Sequence, residues 1–300
     1  TSNYFIGNEY AKSLRGYLSV HVSEILNFGD YLIFEDANVH TTIIFAEKDQ
    51  KNKAVKYGSL KNTKESLLSI EPNRFDTITK DRSALNEYWI FASEGDNQII
   101  EKIAATGKLL GQIAEIEKGS TSGKNDVFTV TKEIVAEYNL ESEILRKNVK
   151  NGDILKYGIH DRETFLIYTD NDTEIEKYPN ILNYFNEHKE VLSNRNEVKK
   201  GSYDWWRMER PRRKEVYDAN EKIIVPYRAT NNRFAYDNER RFNDGGDIRV
   251  LLITDEDFQI KYVLGVLNSN LLNWYYGFIG KPKGNAREYF NEPLAKIPIC

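Results

Sequence analysis

The chain has 300 residues, of which 40% are hydrophobic and 29% charged, an ordinary balance for a folded chain of about two domains. A net charge of −4 excludes a uniformly basic nucleic-acid binder but leaves room for a local basic face. The single cysteine, Cys300, excludes an internal disulfide framework and a cysteine-based zinc site, and the four histidines lack metal-ligand spacing, so no metal is expected. No apolar run reaches the roughly eighteen residues of a membrane span, and no signal peptide is visible, so the chain reads as cytoplasmic with no membrane partner. The only methionine is Met208 and the opening TSNYFIGNEY has a mid-domain character, so the chain reads as a piece of a longer protein, or as one whose initiator Met was removed.

In chain order, residues 9–19 have helical spacing with Tyr10, Leu14, Tyr17 and Leu18 on one face. Residues 23–28 read as a strand and end in a Phe-Gly-Asp turn. Residues 39–46 form a β-branched run long enough for a buried strand. Ile33, Phe34 and the turn-prone Glu35, Asp36, Ala37 and Asn38 lie between them. The pattern is strand, exposed loop, strand, with Phe34 at the mouth of the loop; by residue type alone Phe34 favours core packing. The polar segment 48–62 reads as a surface crossing, 86–91 with Tyr88, Trp89 and Phe91 as a strand, and 99–105 as a short helix.

A strand at 112–116 leads into KGSTSGKND (118–126), and a strand at 127–130 follows. Ser120, Thr121, Lys124 and Asn125 together with two glycines supply backbone amides and small polar groups suited to phosphate or base-edge contacts, although a plain surface turn has the same composition. The loop is not a Walker loop, because Gly119 and Gly123 are too close and Asn125 follows Lys124. Arg146, Lys147 and Lys150 precede an Asn151-Gly152-Asp153 turn, 165–168 reads as a strand, and 180–192 as a structural helix.

Residues 195–241 hold 13 Lys/Arg against 8 Asp/Glu, a surplus of five in a chain whose remainder sums to −9. Tyr203, Trp205, Trp206, Tyr217, Tyr227, Phe234 and Tyr236 are interleaved with those charges. Basic groups for phosphates with aromatics and Asn for base edges make a nucleic-acid footprint, the alternative being a solvated charged face. Arg207, Arg210, Arg212 and Arg213 cluster ahead of a strand at 222–226. Arg228, Asn231 and Arg233 lie in the following loop, within reach of guanine or adenine edges. Residues 250–253 read as a strand and 262–276 as a helix with Val263, Leu264, Leu267, Leu271, Leu272 and Tyr275 on its packing face. Lys281, Lys283 and Arg287 form a second basic loop. Asp244, Asp247, Asp255, Glu256 and Asp257 lack nuclease spacing and read as surface turns.

Several of these stretches carry a resemblance. FGD-x3-FEDA-x-V-x-T-x-I-x-F-x-x-K (28–48) resembles the last strands of the catalytic domain in gamma-class, Taq-type N6-adenine DNA methyltransferases and the type IIG restriction–modification enzymes that share their architecture. G-x-x-[ST]-G-x-N-x-x-F (119–128) is similar to the start of their target-recognition domain. Y-x-L-G-x-LNS (262–269) is a segment shared with type I specificity subunits.

The resemblance implies an α/β, mixed α+β fold: terminal strands and a hairpin of a Rossmann-like methyltransferase sheet, followed by a mixed α+β target-recognition domain. It places the end of the catalytic domain at 1–50, a connecting region at 51–107 and the recognition domain at 108–300. It implies recognition of double-stranded DNA and gives Phe34 the role of stacking on a flipped-out adenine. A base that has left the duplex loses its stacking neighbours, and an aromatic face restores part of that energy. S-adenosylmethionine is implied for the parent enzyme. The implied partners are upstream methyltransferase domains of the same polypeptide, with or without a nuclease domain. The family's cofactor-binding glycine turn and its Pro-Pro catalytic motif are absent, since all seven prolines are isolated. No cofactor is therefore expected on this chain, and no methylation by it alone. A non-catalytic type I specificity module and a soluble interaction domain are the competing readings.

Overall fold

A bulged strand sets the first core. Val22 and Ile25 lie three apart, yet both are fully buried, because the register of the first strand shifts between Val22 and Glu24. The computed structural model describes residues 1–48, 51–85, 89–283 and 285–300, the Glu9 side chain excepted. It divides into two compact units: Thr1–Ala105 with Trp274–Arg287, and Thr106–Asn273 with Glu288–Cys300.

The first unit is built on a four-stranded sheet. Its strands are β1 (Val22–Asn27), β2 (Thr42–Ala46), β3 (Ala54–Leu60) and β4 (Phe75–Asp81), in the order β2-β1-β3-β4. β1 pairs antiparallel with β2 and parallel with β3, and β3 pairs antiparallel with β4. Phe5, Val22, Ile25, Val55, Leu85 and Trp89 form one cluster, and Phe28, Leu60 and Phe75 another. The hairpin expected between 23 and 46 is thus β1 and β2, with Val39–Thr41 left outside the strand.

The described part of the 48–62 segment is more than a surface crossing. It contains β3, whose Val55, Gly58 and Leu60 are buried beneath exposed lysines. Of the strand expected at 86–91, Asn86, Glu87 and Tyr88 lie outside the described residues, and buried Trp89 is not in a strand. The first helix (Lys12–Ser19) also departs from expectation: Tyr10, Leu14 and Tyr17 are exposed, and Arg15 is the buried residue. Its guanidinium donates to the Phe5 and Asn8 carbonyls at 2.7 and 2.6 Å, tying the helix to the turn before it.

The second unit starts with β5 (Lys108–Leu109), which pairs with Pro298–Ile299. β6 (Ala114–Lys118), β7 (Thr129–Thr131), β8 (Leu145–Lys147), β9 (Thr164–Ile167), β10 (Lys222–Pro226), the two-residue β11 (Arg228–Ala229), β12 (Ala235–Asp237) and β13 (Ile248–Ile253) follow. One antiparallel sheet has the order β12-β10-β13-β6 and a second the order β7-β9-β8. β10 and the first four residues of β13 are buried throughout, as apolar β-branched runs require of central strands. The helix Pro179–Glu187 adds Ile181, Tyr184 and Phe185 to their core. Trp205 and Trp206 are both half-buried against it. The helix expected at 262–276 is two helices, Ile260–Leu267 and Asn270–Ile279, interrupted at Asn268 and Ser269.

Lys222 and Asp237 stand opposite each other on β10 and β12, both fully buried, with Nζ 2.7 Å from Oδ2. Arg241 supplies a second cation to Asp237 at 2.9 Å. Removing one member of such a pair leaves a bare charge in the core, whereas replacing both with apolar groups does not. Asp237→Ala is expected to lower unfolding free energy by about 3–5 kcal/mol in urea melts. Lys222→Met with Asp237→Leu should lower it by clearly less. Equal losses in the two variants would contradict the assignment.

Candidate nucleic-acid interface

The antiparallel register of β6 and β13 sets Lys118 opposite Arg249, so the loop leaving β6 and the turn entering β13 meet at one sheet end. Gly119 N–H donates to Ile248 O at 3.0 Å, and the Gly245 and Gly246 amides donate to Ser120 O at 3.0 and 2.9 Å. A Cβ at Gly119 would fall 2.5 Å from Asn243 Oδ1 and 2.7 Å from Gly246 Cα, so only glycine allows this approach. Ser120 is fully buried and its hydroxyl donates to the Asn243 carbonyl, which does not fit its expected contact with a nucleic acid.

Asp244, expected on a surface turn, is 2% exposed. It accepts the Ser122 amide and hydroxyl, both at 2.8 Å, and the Thr129 hydroxyl at 3.4 Å. Burial pushes the Asp244 carboxyl above the ordinary carboxylate range, and the hydrogen bonds from Ser122 and Thr129 only partly oppose it.

A third segment joins these loops. Thr121 and Arg210 exchange two backbone hydrogen bonds at 3.0 and 2.8 Å. Arg195 is buried, and its guanidinium donates to four carbonyls: Leu192 at 2.9 Å, Ser122 at 2.6 Å, Arg207 at 2.9 Å and Trp205 at 2.5 Å. Only a guanidinium has enough donors to gather four acceptors in this way. Arg212 has φ of 65°, a left-handed backbone that costs a non-glycine residue on the order of 1 kcal/mol, and its Nε lies 3.3 Å from Gly119 O. Arg213 is exposed and pairs with Glu115 at 2.6 Å. Thr121, Lys124, Asn125, Arg210, Arg212 and Arg213 are therefore brought together. Arg207 is turned inward: half-buried, its guanidinium 5.0 Å over the Tyr203 ring, it donates to Met208 O at 2.9 Å.

The loop after β10 is held by side-chain amides. Asn151 makes two bonds to Arg228, Nδ2 to the carbonyl and Oδ1 from the amide, both 3.0 Å. Asn268 makes the same pair with Phe234, both 2.9 Å. Buried Asn232 donates its amide to Asn273 Oδ1 at 2.8 Å and its Nδ2 to Leu267 O at 2.9 Å, and accepts the Tyr289 hydroxyl at 2.9 Å. Asn231 is exposed, as is Arg228, which reaches Glu288 at 2.7 Å. Arg233 is half-buried and donates to the Ile154 carbonyl, so it is not presented for a base edge. Asp247 links this loop to the glycine turn, accepting the Asn151 amide at 3.1 Å and Asn243 Nδ2 at 2.7 Å.

Phe34, Lys281, Lys283 and Arg287 belong to the first unit. Phe34 is 56% exposed, so it is not a core residue, and Leu32, Ile33 and Val39 around it are exposed too. Lys281 lies 4.6 Å over the Tyr4 ring, Lys283 donates to the Tyr4 hydroxyl at 3.5 Å, and Arg287 packs on Gly277. Among the described residues no cluster of acidic, His or Cys side chains could hold a metal, and no helix is long and apolar enough to cross a membrane.

Sequence reading missed Arg195, Asn151, Asn243, Asp244 and Asn273 as site residues. The only signal for any of them was the NDGGD run at 243–247, whose paired glycines announce a special turn without saying what it packs on.

A mixed α+β domain whose glycine and asparagine loops carry clustered guanidinium groups has the make-up of a sequence-specificity module. Residues 147–299 match the model of the TaqI-like C-terminal specificity domain, and the chain belongs to that family, the specificity domain of type II restriction–modification methyltransferases. The type II restriction enzyme and methyltransferase RM.Eco57I of Escherichia coli is 22% identical over 317 residues, covering 92% of this chain and 32% of that enzyme. The type II methyltransferase M.MjaIV of Methanocaldococcus jannaschii is 30% identical over 201 residues, covering 63% of this chain and 66% of that protein. The chain thus spans about a third of the first relative and just under two thirds of the second. Among solved structures, the type IIL restriction–modification enzyme MmeI, determined in complex with DNA, has the same fold, with a TM-score of 0.63 at 13% identity over 98% of this chain and 37% of that one.

Asp244 gives a pH signature. Its folded pKa is raised, so its favourable contribution is complete below the ordinary carboxylate pKa and is lost as pH rises through the raised value. Asp244→Asn cannot ionise, and is expected to gain thermal stability relative to wild type as pH rises from about 4 to about 8. A difference in Tm that stays constant over that range would argue against the buried carboxyl.

Proposed function

We propose that this chain is the DNA target-recognition part of an adenine-specific type II restriction–modification methyltransferase. One observation carries the reading: in a specificity-domain chain, loops 118–125, 207–213 and 228–234 are tied by one hydrogen-bond network that leaves Lys124, Asn125, Arg213, Arg228 and Asn231 exposed. Lys124, Arg210, Arg212 and Arg213 meet phosphates, which positions the duplex. Arg228 and Asn231 meet base edges, with Thr121 and Asn125 beside the phosphates. Ser120, Arg207 and Arg233 act indirectly, by holding the loops. Lys281, Lys283 and Arg287 add phosphate contacts from the first unit.

Phe34 receives the flipped adenine. Its exposure on the loop between β1 and β2 supports this, since an exposed aromatic has a free face to offer. A stand-alone specificity module would leave that loop without a role.

The parent uses S-adenosylmethionine, as its methyltransferase relatives imply. The glycine loop at 119–123 is closed against Asn243 and Gly246, and no Pro-Pro motif occurs in the sequence, which supports a cofactor pocket outside this chain. The chemistry belongs to upstream domains of the same polypeptide.

Binding to a randomised duplex pool at two salt concentrations tests the reading. Affinity should fall steeply with salt and the bound fraction should carry an enriched motif. Arg212→Ala with Arg213→Ala should weaken all sequences alike and reduce the salt slope by about one unit for each phosphate no longer neutralised. Unchanged duplex affinity in that variant would favour a solvated face instead. In the full-length enzyme, Phe34→Ala is expected to lower methyl transfer at least about tenfold, the value of one base stack, and Phe34→Trp to retain most of it. Full activity of Phe34→Ala would remove the stacking role.

A further inference from the structure

The amide of Asn231 has its polarity fixed by its neighbours. The Asn232 backbone N–H is a donor and nothing else, so the Asn273 side-chain atom 2.8 Å away must be the oxygen. The other end of Asn273 is therefore its NH2, and it faces an atom of Asn231 at 3.3 Å. That atom must accept, so it is Asn231 Oδ1. The Asn231 NH2 is left pointing away from the pair on an exposed residue. An isolated asparagine flips to suit its ligand, offering a donor and an acceptor together; this one does not.

The frame around Asn231 is held as tightly. Asn151 brackets the loop at residue 228 and Asn268 at residue 234, each bonding both backbone groups of its target as a neighbouring strand would. Between them Asn232 is tied by three further bonds. The loop therefore has little freedom to turn Asn231 round.

We propose that Asn231 reads a base edge with its NH2, and that Asn273 sets this polarity without touching the DNA. This rests on the reading that the 228–234 loop meets DNA. In the major groove guanine offers two acceptors, thymine and adenine one each, and cytosine only a donor. The Asn231 oxygen is turned to Asn273 and its NH2 outward. The position it reads therefore offers an acceptor, as guanine, thymine and adenine do, and cytosine is rejected.

Asn273→Asp tests this from a distance. An aspartate still accepts the Asn232 amide, but it no longer donates to Asn231. The Asn231 amide then turns its NH2 to the new carboxylate and its oxygen outward. Selection from a random duplex pool with the wild-type chain should enrich a motif containing one position that excludes cytosine, a preference that Asn231→Ala flattens by about tenfold. Asn273→Asp should admit cytosine at that same position and leave the others alone. Far-ultraviolet circular dichroism and thermal melts confirm that the variants fold.

The inference is overturned if Asn231→Ala changes no position, if the position it flattens is cytosine in the wild type, or if Asn273→Asp leaves the motif as it was. A wild-type chain that binds duplexes without any motif, or binds none, fails at the earlier step and overturns the recognition reading itself. The two failures are therefore separable.

Discussion

The interface depends on one buried carboxylate. Asp244 lies between two loops that approach so closely that glycine is required where they touch, and it receives both polar groups of Ser122. Without that acceptor the 118–125 loop would hold two unpaired donors in a water-excluded crossing, a cost that ordinary packing does not recover. The position of everything downstream follows from it. Ser122 offers its carbonyl to Arg195, Arg195 collects the Arg207 and Trp205 carbonyls, and Thr121 pairs with Arg210. The basic cluster is thus held in place by backbone groups, one low-dielectric acid and the buried Arg195 guanidinium.

The division of labour among the arginines follows the same logic. Arg195 and Arg15 are buried and serve carbonyls, while Arg213 is exposed and carries only a surface partner. Composition treats these residues alike. What separates them is whether unpaired acceptors converge nearby, which depends on chain paths that no local pattern reports.

That is also where sequence reading succeeded and where it ran out. β10 and β13 were legible because an apolar β-branched run is buried on both faces wherever it ends up. The β1–β2 hairpin was legible from its turn residues. β3 was not, because Lys53 and Lys56 flank Val55 and mask a strand that only its partners on both sides make stable. The first helix misled because Tyr10, Leu14 and Tyr17 keep helical spacing on a face that is exposed in this chain, while Arg15 does the anchoring. At the site, 195–241 holds the guanidinium cluster that its composition announced. Ser120, Arg207 and Arg233 read as contacts from type alone, and burial turned all three into supports. The asparagines went unnoticed as a set, because Asn151, Asn232, Asn268 and Asn273 are dispersed over more than a hundred residues and converge only in the fold.

The first unit is discontinuous: it takes Thr1–Ala105 and then Trp274–Arg287, so the helix Asn270–Ile279 starts in one unit and finishes in the other. This bears on exchanging target preference between relatives. A single crossover after residue 105 would transplant loops 118–125, 207–213 and 228–234 together with a foreign 274–287 segment, separating Lys281 and Lys283 from the Tyr4 they contact. A chimera that respects the units needs two further junctions, at 273/274 and 287/288, the first of them inside a helix and directly after Asn273. Swapped specificities in this architecture are therefore a matter of three matched seams, with helical register preserved across the second.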